Sequence, residues 1–133
     1  MFEMTQKVLF KHCDPAGIVF FPRYFEMIND CVETFFDQGL GWPFETLLID
    51  AGVPTVSIAT DFVAPSRHGD ILTLSLAVTR LGQTSLTYDM TATCRAETRF
   101  RATATIVHVV SGPGRPAPWP EHVRSRLAAF AAP

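Results

Sequence analysis

The residues best able to do chemistry lie near the start of the chain, in His12-Cys13-Asp14-Pro15-Ala16-Gly17, which runs on into Ile18-Val19-Phe20-Phe21-Pro22. Asp14 is the only acid in that stretch. Asp ahead of Pro-x-Gly commonly caps a turn by accepting backbone N–H groups. An aspartate is also ordinarily ionised at neutral pH, so it can attack a carbonyl carbon or polarise a water. Taken alone, the turn favours the cap. His12 and Cys13 invite a His/Asp pair or a thiol nucleophile. Adjacent side chains of an extended segment point to opposite sides, which separates Cys13 from Asp14 and leaves His12 only as a modulator of the acid. A lone loop histidine is more often solvated than catalytic.

These residues need a scaffold, and the periodicity predicts one. Phe2 to Phe10 alternates loosely and reads as a first strand. From Pro22 to about Gln38 the period becomes helical, with Tyr24, Phe25, Ile28, Cys31, Val32, Phe35 and Phe36 at matching spacings and Pro22 in the first turn. That helix is apolar around much of its circumference and calls for cover on nearly all sides. Gly39 and Gly41 stop it, and Trp42 to Gly52 reads as a short second helix. Four β-rich runs follow: Thr55–Val63, Ile71–Leu81, Ser85–Cys94 and Arg99–Val110. Their short connections predict an antiparallel meander, with Leu72, Leu74, Leu76 and Val78 on one face and a Thr-rich opposite face. Pro113, Pro116, Pro118 and Pro120 mark a loop, and Val123, Leu127 and Phe130 form one stripe of a terminal helix. The order is an α+β layout in which five antiparallel strands curl around one long helix.

Composition narrows the function classes. With 133 residues, 47% hydrophobic and 18% charged, the chain suits one domain over 1–133 with a substantial core. The low charge content hints at surface covered by other subunits. A net charge of −2 with scattered basic residues gives no reason to expect nucleic acid. Cys13, Cys31 and Cys94 are odd in number and lack metal-like spacing, so no metal site is expected and reduced thiols in the cytoplasm are. Neither a signal peptide nor a membrane-spanning run is indicated.

Asp14-Pro-Ala-Gly-Ile-Val-Phe-Phe-Pro-x-Tyr24-Phe25 closely resembles the motif of the 4-hydroxybenzoyl-CoA thioesterase family of hotdog-fold proteins. The similarity continues through Pro54 to Phe62, Gly69-Asp70-Ile71-Leu72 and Thr79 to Ser85. The resemblance implies a helix wrapped by an antiparallel sheet, dimers of dimers, and active sites at subunit interfaces. It also implies hydrolysis of acyl-CoA to acid and CoA without a metal or cofactor, the CoA being part of the substrate. With it, the balance for Asp14 tips from cap to catalyst, acting as nucleophile or general base.

The reaction also needs donors for the oxyanion, and unpaired N–H groups at a helix N-terminus carry partial positive charge. The resemblance places the carbonyl near the backbone of Phe21, with Gly17 permitting close approach. Pro22 has no N–H and cannot join the donors. Ile18 and Val19 are expected to line the acyl pocket as well as pack. Tyr24 belongs to the motif, Asn29 falls where aryl-CoA members can read a ring, and Trp42 is a candidate pocket wall that more simply packs. Arg80, Gln83, Thr84 and Ser85 lie in the segment expected to contact the nucleotide of CoA, although this chain lacks a dense basic run there. Arg67, His68, Arg99 and Arg101 read more simply as solvated surface residues.

A hotdog hydratase would require an Asp-x-Asn-Pro-x-His string, which is absent. A non-catalytic acyl-CoA or acyl-carrier binding module would keep the apolar pocket and dispense with Asp14. Aromatic acyl groups such as benzoyl or hydroxybenzoyl compete with short or medium aliphatic ones.

Overall fold

A computed structural model describes residues 1–110 and 114–132, so Pro113 of the predicted loop lies outside the described residues. In chain order the elements are β1 (Phe2–Lys7), α1 (Pro22–Thr34), α2 (Phe44–Leu47), β2 (Ala51–Gly52), β3 (Thr55–Phe62), β4 (Ile71–Leu81), β5 (Ser85–Cys94), β6 (Glu97–Val107), β7 (Val109–Val110), β8 (Arg115–Pro116) and α3 (Glu121–Ala128). Five strands form one antiparallel sheet in the order β1-β4-β5-β6-β3, and β2, β7 and β8 form a small second sheet.

Alternation decides which face of the large sheet is buried. Leu72, Leu74, Leu76 and Val78 on β4, with Leu86, Tyr88 and Met90 on β5, all point inward and are buried. Against them lie Tyr24, Met27, Ile28, Cys31 and Val32 of α1. Each large apolar side chain buried in this way contributes about 1.5–3 kcal/mol. The outer face carries Thr73, Thr87, Thr91, Thr103 and Thr105, of which Thr87 and Thr105 hydrogen-bond each other at 2.9 Å.

Several sequence expectations change in the folded chain. The meander holds only for β4-β5-β6. β3 crosses to the far edge and pairs with β6, while β1 takes the place beside β4. The eight residues 63–70 between β3 and β4 are too long for a tight hairpin. By contrast, β5 and β6 join through Arg95 and Ala96, both at positive φ (51° and 65°), as a two-residue hairpin turn requires.

The first strand stops at Lys7, and Phe10–His12 forms a single tight helical turn. The predicted second helix shrinks to Phe44–Leu47. The last β-run divides at His108. α1 ends in one wider π turn over Phe35–Gly39.

Within one chain α1 is covered on one side only, because Arg23, Glu26, Asn29, Asp30 and Glu33 fill the opposite stripe and Phe25 stays 37% exposed. At the other end of the sheet, α3 buries Val123 and Leu127.

Candidate active site

Asp14 opens a turn that its own backbone closes. Gly17 N–H donates to Asp14 O at 2.9 Å, and Asp14 N–H donates to Ile18 O at 2.9 Å. Gly17 sits at φ +80°, a region where side-chain-bearing residues are strained. Ala16 N–H donates to Asp14 Oδ1 at 2.9 Å, so the capping role is present. It occupies only one carboxylate oxygen; Oδ2 has no partner among the described residues, and the side chain is half-exposed. Cap and catalyst are therefore compatible in this geometry.

The same turn delivers the start of α1. Phe20 N–H donates to His12 O, Arg23 N–H to Phe20 O and Tyr24 N–H to Phe21 O, at 2.8–3.0 Å. Pro22 has no N–H. That leaves the Phe21 amide as the one near the helix start without a backbone acceptor among the described residues. It is free to donate to a group placed before the helix start.

A second loop braces this turn. Val19 N–H donates to Ser66 O at 2.8 Å, His68 N–H donates to Gly17 O at 3.3 Å, and Ile18 lies opposite Arg67 as in an antiparallel ladder. The loop is in turn anchored from two elements. Tyr24 Oη donates to Ser66 Oγ at 2.8 Å, and Arg99 Nη1 on β6 donates to Asp70 Oδ2 at 2.7 Å and to Pro65 O at 3.2 Å. Asp70 Oδ2 also accepts the Arg67 N–H at 3.0 Å. That amide and the Arg99 guanidinium hold the Asp70 carboxyl below the usual carboxylate range. Burial pushes the Tyr24 hydroxyl above the usual phenol range.

Arg99 is thus a buried anchor, which corrects the expectation of a solvated surface residue. Ser66, Asp70 and Arg99 were missed as site-positioning residues because their partners are far apart in sequence. Only the Gly69-Asp70 match hinted at them. Arg67, His68 and Arg101 are exposed as expected.

His12 is buried as well, contrary to the solvated expectation. Its Nδ1 accepts the Leu9 N–H at 2.9 Å, and burial, with Lys11 nearby, holds the imidazole below its usual value. Cys13 Sγ donates to Leu9 O at 3.5 Å. Both side chains shape the turn.

Two adjoining recesses run between α1 and β3. One of about 230 Å³ beside the Asp14 turn is lined by Ile18, Val19, Phe21, Tyr24 and Phe62. The other, about 350 Å³, is lined by Phe25, Ile28, Asn29, Val32, Ile58 and Tyr88 among others. Phe62 joins them, with its ring centroid 5.7 Å from those of Phe21 and Tyr24 and 6.1 Å from that of Phe25. Ile18, Val19, Phe21, Tyr24 and Asn29 therefore gather around one apolar groove, to which Ile18 and Val19 tie the turn that carries Asp14.

The remaining candidates lie elsewhere. Arg80, Gln83, Thr84 and Ser85 flank the β4–β5 turn, at the end of β4 away from the Asp14 loop; an eleven-residue strand spans about 35 Å. The backbone acceptors of that turn are occupied: Gln83 O takes the Trp119 N–H, Ser85 O takes Trp119 Nε1–H, and Thr84 O takes the His108 N–H. Trp42 packs against Phe36 and His108 with tilted rings and against His122 edge-on, at the same end. One chain does not bring these residues to Asp14. Among the described residues no His, Cys, Asp and Glu group is arranged to hold a metal, and no helix is long and apolar enough to cross a membrane.

A five-stranded antiparallel sheet packed on one long helix, with a carboxylate at the helix start, defines a hotdog-fold protein. The chain belongs to the Thioesterase-like superfamily, whose sequence profile matches residues 8–127. It is 34% identical over 115 residues to the 1,4-dihydroxy-2-naphthoyl-CoA hydrolase of Acaryochloris marina, covering 82% of this chain and 81% of that protein. It is 31% identical over 78 residues to the 4-hydroxybenzoyl-CoA thioesterase of a Pseudomonas strain, a match covering 56% of this chain and only 55% of that enzyme. The crystal structure of a Synechocystis 1,4-dihydroxy-2-naphthoyl-CoA thioesterase superposes with a TM-score of 0.89 over 99% of this chain and 98% of that one, at 22% identity.

Proposed function

We propose that this chain is an acyl-CoA thioesterase whose acyl groups are aromatic, releasing the free acid and CoA. The observation that carries the reading is a half-buried Asp14 carboxylate with one unengaged oxygen, in the turn leading to Phe21, whose unengaged amide opens the helix beside an aromatic groove. The carbonyl oxygen docks on the Phe21 N–H, which stabilises the oxyanion as the carbonyl carbon is attacked. As general base, Asp14 takes a proton from water, the water oxygen bonds to the carbonyl carbon, and the C–S bond breaks with the proton passing to the thiolate. As nucleophile, Asp14 Oδ2 bonds to the carbonyl carbon, the C–S bond breaks and CoA leaves as its thiolate; water then adds to the acyl carbon of the mixed anhydride, the Asp14 carboxylate is released, and a proton of that water passes to the thiolate. Both routes use the same two groups, and neither requires a cofactor.

The aromatic preference draws support from the Phe21, Phe25, Phe62 and Tyr24 rings around the groove and from the hydroxyaryl-CoA substrates in the relatives' names. The assembly proposed is a dimer of dimers. β3 is a sheet edge whose Val56, Ile58 and Phe62 are exposed, and a second copy docked there would cover them. Such a partner is also the source from which residues like Arg80 to Ser85 can reach the CoA. The odd cysteine count supports a reducing, cytoplasmic setting.

The test is a thiol-release screen over benzoyl, hydroxybenzoyl, acetyl and hexanoyl CoA thioesters, with Asp14→Asn as control. Aryl-CoA turnover that vanishes in the variant supports the reading. Turnover near wild type in Asp14→Asn removes the catalytic assignment, and binding without turnover in the wild type leaves a binding module.

A further inference from the structure

Leu86, Tyr88, Met90 and Ala92 follow one another along the inner face of β5, all buried, and Tyr88 alone among them carries a polar group. Its ladder neighbour on β6 is Ala104, which in turn faces Ile58 of β3. The small Ala104 leaves room between these two larger side chains, and the larger recess, lined by both, lies there against Ile28 and Val32 of α1. Among the described residues the shielded side-chain polar atoms without a partner are Thr60 Oγ1 and Arg99 Nε. Tyr88 Oη also lacks a partner among those residues but is not shielded, so in a residue only 2% exposed it opens on the recess that the residue lines. A buried tyrosine hydroxyl ordinarily finds a partner, and phenylalanine would fill the same volume without leaving a group unpaired. Asn29 and Thr55 border the same recess, but both are exposed and can be satisfied by solvent. Tyr88 is the polar side chain of this lining that burial separates from bulk water.

We infer that Tyr88 is a specificity-determining residue whose hydroxyl pairs with a hydroxyl on the aromatic acyl group, on the side of the ring away from the thioester. This role rests on the thioesterase reading and adds to it the residue that reads the ring. The register supports the distance. Phe62, whose ring packs on that of Phe21, lies four residues along β3 from Ile58, and the row across the sheet from Ile58 reaches Tyr88, so the two rows are about 13 Å apart. A carbonyl held on the Phe21 amide, one ring, and a hydroxyl bonded to Tyr88 Oη cover a length of that order, each hydrogen bond taking about 3 Å. An aliphatic acyl group in the same recess would leave the Tyr88 hydroxyl unpaired. Burial, with Cys31 nearby, pushes that hydroxyl up to about 12, so near neutral pH it keeps its proton and can both donate and accept. A site built to bond a substrate hydroxyl rejects the analogue lacking it far more strongly than an apolar pocket can discriminate shape.

The experiment compares kcat/KM for 4-hydroxybenzoyl-CoA and 3-hydroxybenzoyl-CoA, each relative to benzoyl-CoA, in wild type and Tyr88→Phe, with Asn29→Leu and Thr55→Val as comparators. The expected result is a wild-type preference for at least one hydroxylated substrate that falls at least about tenfold in Tyr88→Phe and falls less in either comparator. Tyr88→Phe should also melt no lower than wild type in the absence of substrate, since it removes an unpaired group. A preference within about twofold of wild type in Tyr88→Phe, or no such preference in the wild type, would overturn the inference while leaving the thioesterase reading intact. A comparator in which the preference falls as far as in Tyr88→Phe would overturn it by assigning the ring to Asn29 or Thr55. A folded Tyr88→Phe enzyme inactive toward benzoyl-CoA as well would overturn it, because the hydroxyl would then serve the reaction and not the choice of ring. A lowered melting temperature in Tyr88→Phe would do the same, because the hydroxyl would then be bonded within the protein. Absence of turnover on every CoA thioester by the wild type would instead count against the underlying reading.

Discussion

Arg99 Nη1 donates to Asp70 Oδ2 at 2.7 Å, with the two side chains only 7% and 11% exposed. The pair has a direct structural path to the candidate catalytic carboxylate. Asp70 holds the Arg67 amide, and the Ser66–His68 segment hydrogen-bonds to Val19 and Gly17 at the far side of the Asp14 turn. Glu97 lies 2.8 Å from Arg99 Nε as a charge contact without hydrogen-bond geometry, so Asp70 is the main partner.

Breaking this pair from one side strands a buried charge. Arg99→Met should cost about 3–5 kcal/mol in urea unfolding, and the Asp70→Asn/Arg99→Met double variant should cost less than the sum of its singles. Strictly additive costs would show that the two residues are not coupled.

The pair also gives an acid limb. The Asp70 carboxyl titrates below its ordinary 3.8 in the fold, so its stabilisation is complete above about pH 4 and is lost as pH falls through the folded value. Stability measured from pH 5 to pH 2 should decline more gently in Asp70→Asn than in wild type. Parallel curves would contradict this assignment.

A second pH effect comes from His12. Burial holds its folded value below 6.5, so the neutral ring that accepts the Leu9 N–H is favoured above that pH. Its contribution is lost as pH falls from 6.5 through the folded value. His12→Gln should remove that part of the decline between pH 7 and pH 5; a variant as pH-sensitive as wild type there would place the titration elsewhere.

Asp14 offers a separation of cap from catalyst. Asn can still accept the Ala16 N–H, whereas Ala cannot. Both Asp14→Asn and Asp14→Ala should lower kcat by about 10²–10⁴-fold. Only Asp14→Ala should also lose about 0.5–1.5 kcal/mol of stability, read by denaturant unfolding.

The exposed edge of β3 makes the assembly testable. Val56 is 60% exposed, and Val56→Glu places a charge on the apolar face proposed to meet a second copy. Light scattering should show a smaller assembly than wild type; an unchanged mass would place the interface elsewhere.

Much of this protein could be read from local pattern. The period-two alternation of Ile71–Leu81 and Ser85–Cys94 predicted both strands to the residue and the face that Leu72 to Met90 would bury. The change to helical spacing at Pro22 placed α1, and the Asp-Pro-Ala-Gly turn singled out Asp14. Such features are encoded within a few neighbouring residues, because backbone geometry sets which side chains share a face. Pairing across the chain is not encoded that way. That β3 joins β6, that Arg99 reaches Asp70 29 positions away, and that Trp42 packs at the opposite end from Asp14 all depend on long-range contacts. The sequence alone determined which turn carries the acid. Only the folded chain decided what holds that turn in place and what lines the groove beside it, since both are set by residues brought together from several separate segments.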